Sequence, residues 1–248
     1  MNTIILTSSM DFYYKDEFEN IIPHNFGNFN GIFDSLKGSI KKFDNFVFVV
    51  SNEIDYETSD YYAKTTFESY NATLPFKNYT VLDGRNLEQA EELIKNADLI
   101  HLCGGHVPTQ NNFFKKINLR KLLESNQEAV IVGISAGSMN SANMVYCPPE
   151  LDGEALDPSF NRYFEGLGLT QINVLPHLQD YDGLLLDNLR YIEDIILPDS
   201  FNTKILAIPD GSYIFIKDNI STLFGEGYII ENGRITKICD NNNSLILE

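Results

Sequence analysis

The chain has 248 residues, 43% of them hydrophobic and 21% charged, a balance that excludes a disordered or collagen-like chain and leaves ample length for a core. Its formal net charge is −17 and no basic patch interrupts it, which argues against nucleic acid and anionic membrane surfaces as partners. Cys103, Cys147 and Cys239 are odd in number and far apart, so neither a disulfide framework nor a CxxC metal site is expected.

In chain order, the dominant rhythm is a short apolar, often β-branched run followed by an amphipathic stretch, the pattern of βα units with buried parallel strands. The opening run, 4–6, carries no basic flank and is too short for a signal peptide. A second run, 46–50, precedes a Tyr- and Asp-rich segment, 52–70, read as a helix with one wet face. Residues 79–82 form the third strand. After it, Leu87, Ala90, Leu93 and Ile94 fall on one face of a helix whose other face pairs Glu91 with Lys95. The fourth and fifth strands, 99–103 and 129–132, flank a helix carrying Phe113, Phe114, Ile117 and Leu122. Residues 172–175 read as a further strand ended by Pro176, and Leu185, Leu189, Ile192 and Ile196 predict a late helix. From about 204 the pattern changes to strands without helices, at 205–208, 213–216, 228–230 and 234–238, with Asn232-Gly233 as a hairpin turn and Asn241-Asn242-Asn243 as a polar surface turn. These strands are expected at an edge of the same sheet, in a single domain spanning 1–248. Nothing approaches the ~18 apolar residues of a membrane span, and a cytoplasmic protein is expected.

Chemistry concentrates in Gly133-Ile134-Ser135-Ala136-Gly137, which follows a buried strand directly. This is the nucleophile-elbow pattern: the strand-to-helix turn is so sharp that residues beside the serine must be small, and it leaves the hydroxyl exposed. The bland alternative is an ordinary βα turn with a capping serine. A serine nucleophile needs a base, and the chain offers His24, His101, His106 and His177. His177 follows a strand, at the end of an open sheet where ligands bind, and is the expected base. His101 sits inside a buried strand and reads as a satisfied core histidine. A zinc site at His101 and His106 lacks supporting ligands. Cys103-Gly104-Gly105-His106 lets backbone amides approach a ligand, so the amides of Gly105 and Ala136 are the expected oxyanion donors.

The orienting acid is expected at Asp210, in Ile208-Pro209-Asp210-Gly211-Ser212 at another strand end, with the loop residues Asp152 and Asp157 as alternatives. The serine, acid, histidine order of α/β-hydrolases does not fit, because the last histidine comes too soon after the serine.

By segment, the chain resembles the peptidase E family of serine peptidases, which includes aspartyl dipeptidases and the related cyanophycinases. Leu102-Cys103-Gly104-Gly105-His106 looks like its Gly-Gly-Gly-Asn loop, Gly133-Ile134-Ser135-Ala136-Gly137 its Gly-x-Ser-Ala-Gly elbow, Asn173-Val174-Leu175-Pro176-His177 its Asn-Pro-His segment, and Ile208-Pro209-Asp210-Gly211 its Leu-Pro-Glu-Gly segment. The resemblance spans nearly the whole chain. It implies a three-layer α/β/α sandwich with a mainly parallel sheet, of the class I glutamine-amidotransferase type. It also implies a triad of Ser135, His177 and Asp210, with Gly104, His106 and Arg190 as substrate-contacting positions. His106 stands where the family has Asn, and Arg190, the nearest basic residue after the histidine, is one helical turn out of place. Ser135 and Gln179 stand where glutaminase-type relatives have Cys and Glu, which disfavours an amidotransferase.

The expected function is therefore a serine peptidase, in the manner of a dipeptidase, acting on a small peptide through an acyl-enzyme. No cofactor or metal is expected, and the only macromolecular partner considered is a second copy of the chain, as a homodimer. A non-peptide amidase or esterase, separable by substrate profiling, and a silent binding module, revealed by failure of fluorophosphonate labelling, are the rival readings.

Overall fold

Five apolar runs become the strands Thr3–Thr7, Asn45–Val49, Asn78–Leu82, Leu99–Leu102 and Val130–Ile134 in a computed structural model that describes residues 2–18, 21–23 and 27–247. His24 lies outside the described residues. The strands are parallel, in the spatial order Thr3–Thr7, Val130–Ile134, Leu99–Leu102, Asn45–Val49, Asn78–Leu82. Their runs are continuous because both faces are covered. Ile4, Leu6, Ile100, Leu102 and Ile131 pack on one face with Ile94, Phe113 and Leu123 of the helices Ala90–Asn96, Val107–Lys116 and Leu119–Glu124. Ile5, Leu99, Val130 and Val132 pack on the other with Leu36 and Tyr70 of the helices Ile32–Ser39 and Tyr56–Thr73. Alternate residues thus serve opposite layers, and each full burial contributes about 1.5–3 kcal/mol before entropy is counted. The result is the expected helix, sheet, helix layering.

Beyond Thr3–Thr7 the sheet continues through three antiparallel strands, Tyr213–Lys217, Ile220–Phe224 and Ser244–Leu247, making eight. The remaining late strands do not join it. Ile205–Ala207, Gly227–Glu231 and Arg234–Cys239 form a separate four-stranded sheet with Asn173–Leu175, the last pairing in parallel with Ile205–Ala207. Leu175, Ile205, Ala207 and Ile230 of that sheet pack against Tyr146, Tyr191 and Ile196. Asn232-Gly233 is the two-residue hairpin turn predicted, with positive φ at both positions (51° and 72°).

Two helix predictions change. The helix predicted over 185–196 begins only at Tyr191. Before it lies a hairpin, Leu185–Leu186 with Leu189–Arg190, turned by Asp187 and Asn188 at φ 53° and 65°. The amphipathic stretch around Phe113 divides at Asn118 (φ 52°) into two helices, the first starting at Val107 with Pro108 in its first turn.

Candidate active site

Ser135 leaves the strand Val130–Ile134 at φ 50° and ψ −112°, and the helix Ala136–Met139 begins at the next residue. A non-glycine residue held at positive φ costs on the order of 1–3 kcal/mol and persists only where its surroundings enforce it. Here they do. The Ser135 amide donates to Thr7 O (3.0 Å), and Ser138 Oγ, within donor reach of both Thr7 O (2.8 Å) and Gly133 O (2.7 Å), braces the turn from inside. A Cβ on Gly137 would stand 2.3 Å from Leu102 O, and one on Gly133 would stand 2.9 Å from the Ser138 amide nitrogen. The requirement for small residues on both sides of Ser135 is thus a matter of space.

His177, also at positive φ (58°), follows Asn173–Leu175 in the four-stranded sheet. Its Nε2 lies 3.0 Å from Ser135 Oγ and its Nδ1 2.9 Å from Asp210 Oδ1. An Nδ1 proton donated to the carboxylate leaves Nε2 as the acceptor for the serine hydroxyl, the tautomer a base requires. Asp210 sits in the connection from Ile205–Ala207 to Tyr213–Lys217, where the chain crosses from the four-stranded sheet to the eight-stranded one. The expectation that all three residues end strands of one sheet is therefore corrected: Ser135 comes from one sheet, and His177 and Asp210 from the edge of the other. Asp152 and Asp157 are exposed, and Asp157 is occupied with the amide and hydroxyl of Ser159.

Two partners were not foreseen. Ser8, the residue after the first strand, donates Oγ–H to Asp210 Oδ1 (2.5 Å) and accepts the His177 amide (2.7 Å). Gln179 Oε1 accepts the Asp210 amide (3.0 Å). Burial works to raise the Asp210 carboxyl, but the bonds from His177 and Ser8 outweigh it and hold the group below its ordinary value. The only signal for Ser8 in the sequence was its place directly after a central strand.

Gly104 and Gly105 lie against the elbow. A Cβ on Gly104 would stand 3.4 Å from Ser135 Cβ, and Gly105, at φ 140°, would place one 2.3 Å from Ser51 Oγ. At Gly105 both the backbone angle and the closeness of Ser51 call for glycine, whereas a Cβ at Gly104 would meet only ordinary contact. The Ala136 amide opens the helix after Ser135, where N–H groups have no intrahelical acceptor. His106 lines the same cavity, with Nδ1 2.8 Å from Thr109 Oγ1 and Nε2 3.0 Å from Glu154 Oε1. Arg190 is not brought to the site: exposed, it pairs through Nη2 and Nε with Asp194 (2.6 and 2.9 Å), four residues on, and is not among the cavity residues.

That cavity, about 530 Å³, runs from Ser135 and His177 past Gly104 and Gly105 to Phe12, Phe48 and His101. His101 is 2% exposed and stacks on Phe48, centroids 5.1 Å apart. Buried it is, but not satisfied, since its Nδ1 has no hydrogen-bond partner. Burial lowers its pKa to about 3, so the ring is neutral. Cys103 lines the cavity too, its thiol pushed up to about 12 by burial. Among the described residues, no group of three or more His, Cys, Asp or Glu is arranged to hold a metal ion, and no helix is long and apolar enough to cross a membrane.

The model of peptidase family S51 matches residues 6–224. Among solved structures, a peptidase from an acI-B1 Actinobacterium superposes with a TM-score of 0.70 at 13% identity, covering 99% of this chain and 97% of that one. A protein of Listeria monocytogenes EGD-e named as a peptidase E gives 0.57 at 16% identity, covering 89% and 96%. At those identities the likeness is one of fold. Among curated proteins, none matches the chain.

Proposed function

The chain belongs to peptidase family S51, the peptidase E family of serine peptidases, and from that premise we propose that it hydrolyses small peptides through an acyl-enzyme on Ser135. The observation that carries this reading is the unbroken relay from Ser135 Oγ to His177 Nε2 (3.0 Å) and from His177 Nδ1 to Asp210 Oδ1 (2.9 Å).

In the proposed reaction, Ser135 Oγ attacks the substrate carbonyl carbon as His177 Nε2 takes its proton. The carbonyl oxygen, now an oxyanion, turns toward the amides of Gly105 and Ala136. His177 then returns the proton to the departing amine and the C–N bond breaks. A water molecule, deprotonated by the same nitrogen, attacks the acyl ester; the C–O bond to Ser135 breaks, the proton passes from His177 Nε2 to Ser135 Oγ, and the carboxylic acid product leaves. Asp210 keeps the imidazole in the required tautomer and stabilises its charged form. The net charge of −17 and the free cysteines are in keeping with a cytoplasmic enzyme without nucleic-acid or membrane partners, working alone or as a homodimer.

The test is covalent. A fluorophosphonate incubated with the protein is expected to add to Ser135, located by peptide mass spectrometry, and to leave Ser135→Ala unmodified. Failure to label Ser135, together with unchanged hydrolysis of a dipeptide library by the Ser135→Ala variant, overturns the proposal.

A further inference from the structure

We propose that the cavity beside Ser135 selects substrates whose acyl-side residue carries an uncharged, apolar side chain, received in the space that Tyr62, Ile134 and the buried rings of Phe12, Phe48 and His101 line. The inference rests on the acyl-enzyme reading above. Because Ser135 and His177 themselves line the cavity, the proposal seats the carbonyl carbon at Ser135 Oγ with the side chain of that same residue directed into it.

Charge decides first. Among the described residues lining the cavity there is no lysine or arginine, and Asp55 is the one carboxylate. An acidic side chain would find no counter-ion there, and an unpaired ion removed from water costs several kcal/mol. His101 does not supply the cation, because its ring is enclosed by Phe12, Phe46, Phe48 and Tyr70 at centroid distances of 5.1 to 6.1 Å and stays neutral. His106 is already held by Glu154. A cationic side chain has only Asp55, whose carboxylate caps the helix Tyr56–Thr73 through the Thr58 amide (3.2 Å).

Shape decides second. His101 and Phe48 are nearly parallel, 13° apart, while Phe12 is tilted against His101 at 54°. Packed on one another and only 2–6% exposed, these rings close that side of the cavity as an apolar wall, against which an apolar side chain gains by burial and a charged one loses its water. With its Nδ1 unpartnered, the imidazole acts as part of this wall rather than as a member of a polar network.

The experiment measures second-order rates of Ser135 modification by diphenyl α-aminoalkylphosphonates with phenylalanine, aspartate or lysine side chains, beside a plain fluorophosphonate. In each diphenyl ester the serine oxygen forms a bond to phosphorus, phenoxide leaves, and the hydroxyl proton passes to His177. The phenylalanine reagent is expected to react at least about 50-fold faster than the aspartate and lysine reagents, the scale on which a pocket separates side chains. Labelling by the fluorophosphonate with aspartate equal to or faster than phenylalanine overturns the selectivity while the nucleophile stands. A fastest rate with lysine also overturns it, in favour of a cation held by Asp55. Failure of the fluorophosphonate itself removes the acyl-enzyme reading and this inference with it. Tyr62, on the cavity wall and 43% exposed, gives a second arm. Tyr62→Lys adds the missing cation and should narrow the phenylalanine-to-aspartate ratio by about 10-fold. An unchanged ratio overturns the argument from charge.

Discussion

Ser8 and Asp210 lie 202 positions apart in the chain and meet through a hydrogen bond of 2.5 Å, so the carboxylate beside His177 is held by two donors rather than one. Ser8 also accepts the His177 amide, and thereby fixes both the acid and the backbone that carries the base. Removing its hydroxyl leaves an ionised carboxylate short of a donor, a loss worth about 1.5–3 kcal/mol for hydrogen bonds to charged groups. Ser8→Ala should therefore lower kcat by about 10- to 100-fold, with little change in KM. Steady-state kinetics check this; an unaltered kcat would show that Asp210 needs no second donor.

Ser135→Ala should lower kcat by roughly 10⁴ to 10⁶-fold while the fold survives, because alanine keeps the small Cβ that the turn accommodates. Circular dichroism and turnover measured on the same preparation separate the two effects. A variant with near-normal turnover eliminates Ser135 as the nucleophile.

Asp210→Asn preserves the shape of the acid but favours the wrong imidazole tautomer, and the expected loss is about 10⁴-fold in kcat on the serine-protease precedent. Asp152→Asn and Asp157→Asn should stay close to the parent, since both residues are exposed and Asp157 is engaged with Ser159. Because its hydrogen bonds hold Asp210 below the ordinary carboxylate value, it remains ionised throughout the neutral range. Comparable losses in either loop variant would reassign the acid.

His101 predicts a pH signature of stability. Burial holds its folded pKa at about 3, whereas the unfolded chain protonates near the ordinary histidine value of 6.5. Below that value the unfolded state binds a proton that the folded state refuses, so stability falls with pH until the folded value is reached. Between pH 7 and pH 5 the His101 contribution to this loss should be about 2 kcal/mol. His101→Phe, which keeps a ring among Phe12, Phe46 and Phe48, should flatten that part of the curve. Urea denaturation at both pH values tests it, and equal slopes for the two proteins refute it.

The five parallel strands were legible because strands covered on both faces leave unbroken apolar runs. The elbow was legible because its steric demand on Gly133 and Gly137 is local. The four-stranded sheet was not, since Asn173–Leu175 is only three residues long and meets Ile205–Ala207 through pairing that no local pattern records. Likewise, Leu185, Leu189, Ile192 and Ile196 keep helical spacing across a hairpin, and only the turn-prone Asp187-Asn188 pair marked the break. Arg190 looked available when position alone was counted, but Asp194, one helical turn away, neutralises it. Ser8 belonged to no motif, and its partners become neighbours only through tertiary folding.

Because Ser135 hangs from one sheet and His177 from another, turnover reads the alignment of two bodies of structure. The shorter one packs into the large core through Val174, Leu206 and Ile208, and its first strand is braced by Asn173, whose side chain accepts the Tyr146 amide (2.9 Å) and donates to Thr203 Oγ1 (3.0 Å). A slip there of half an ångström would open the 3.0 Å serine-to-histidine contact while leaving the large core intact. In a urea titration, activity should accordingly vanish before the tyrosine fluorescence of the folded chain changes, and Asn173→Ala should widen the interval between the two.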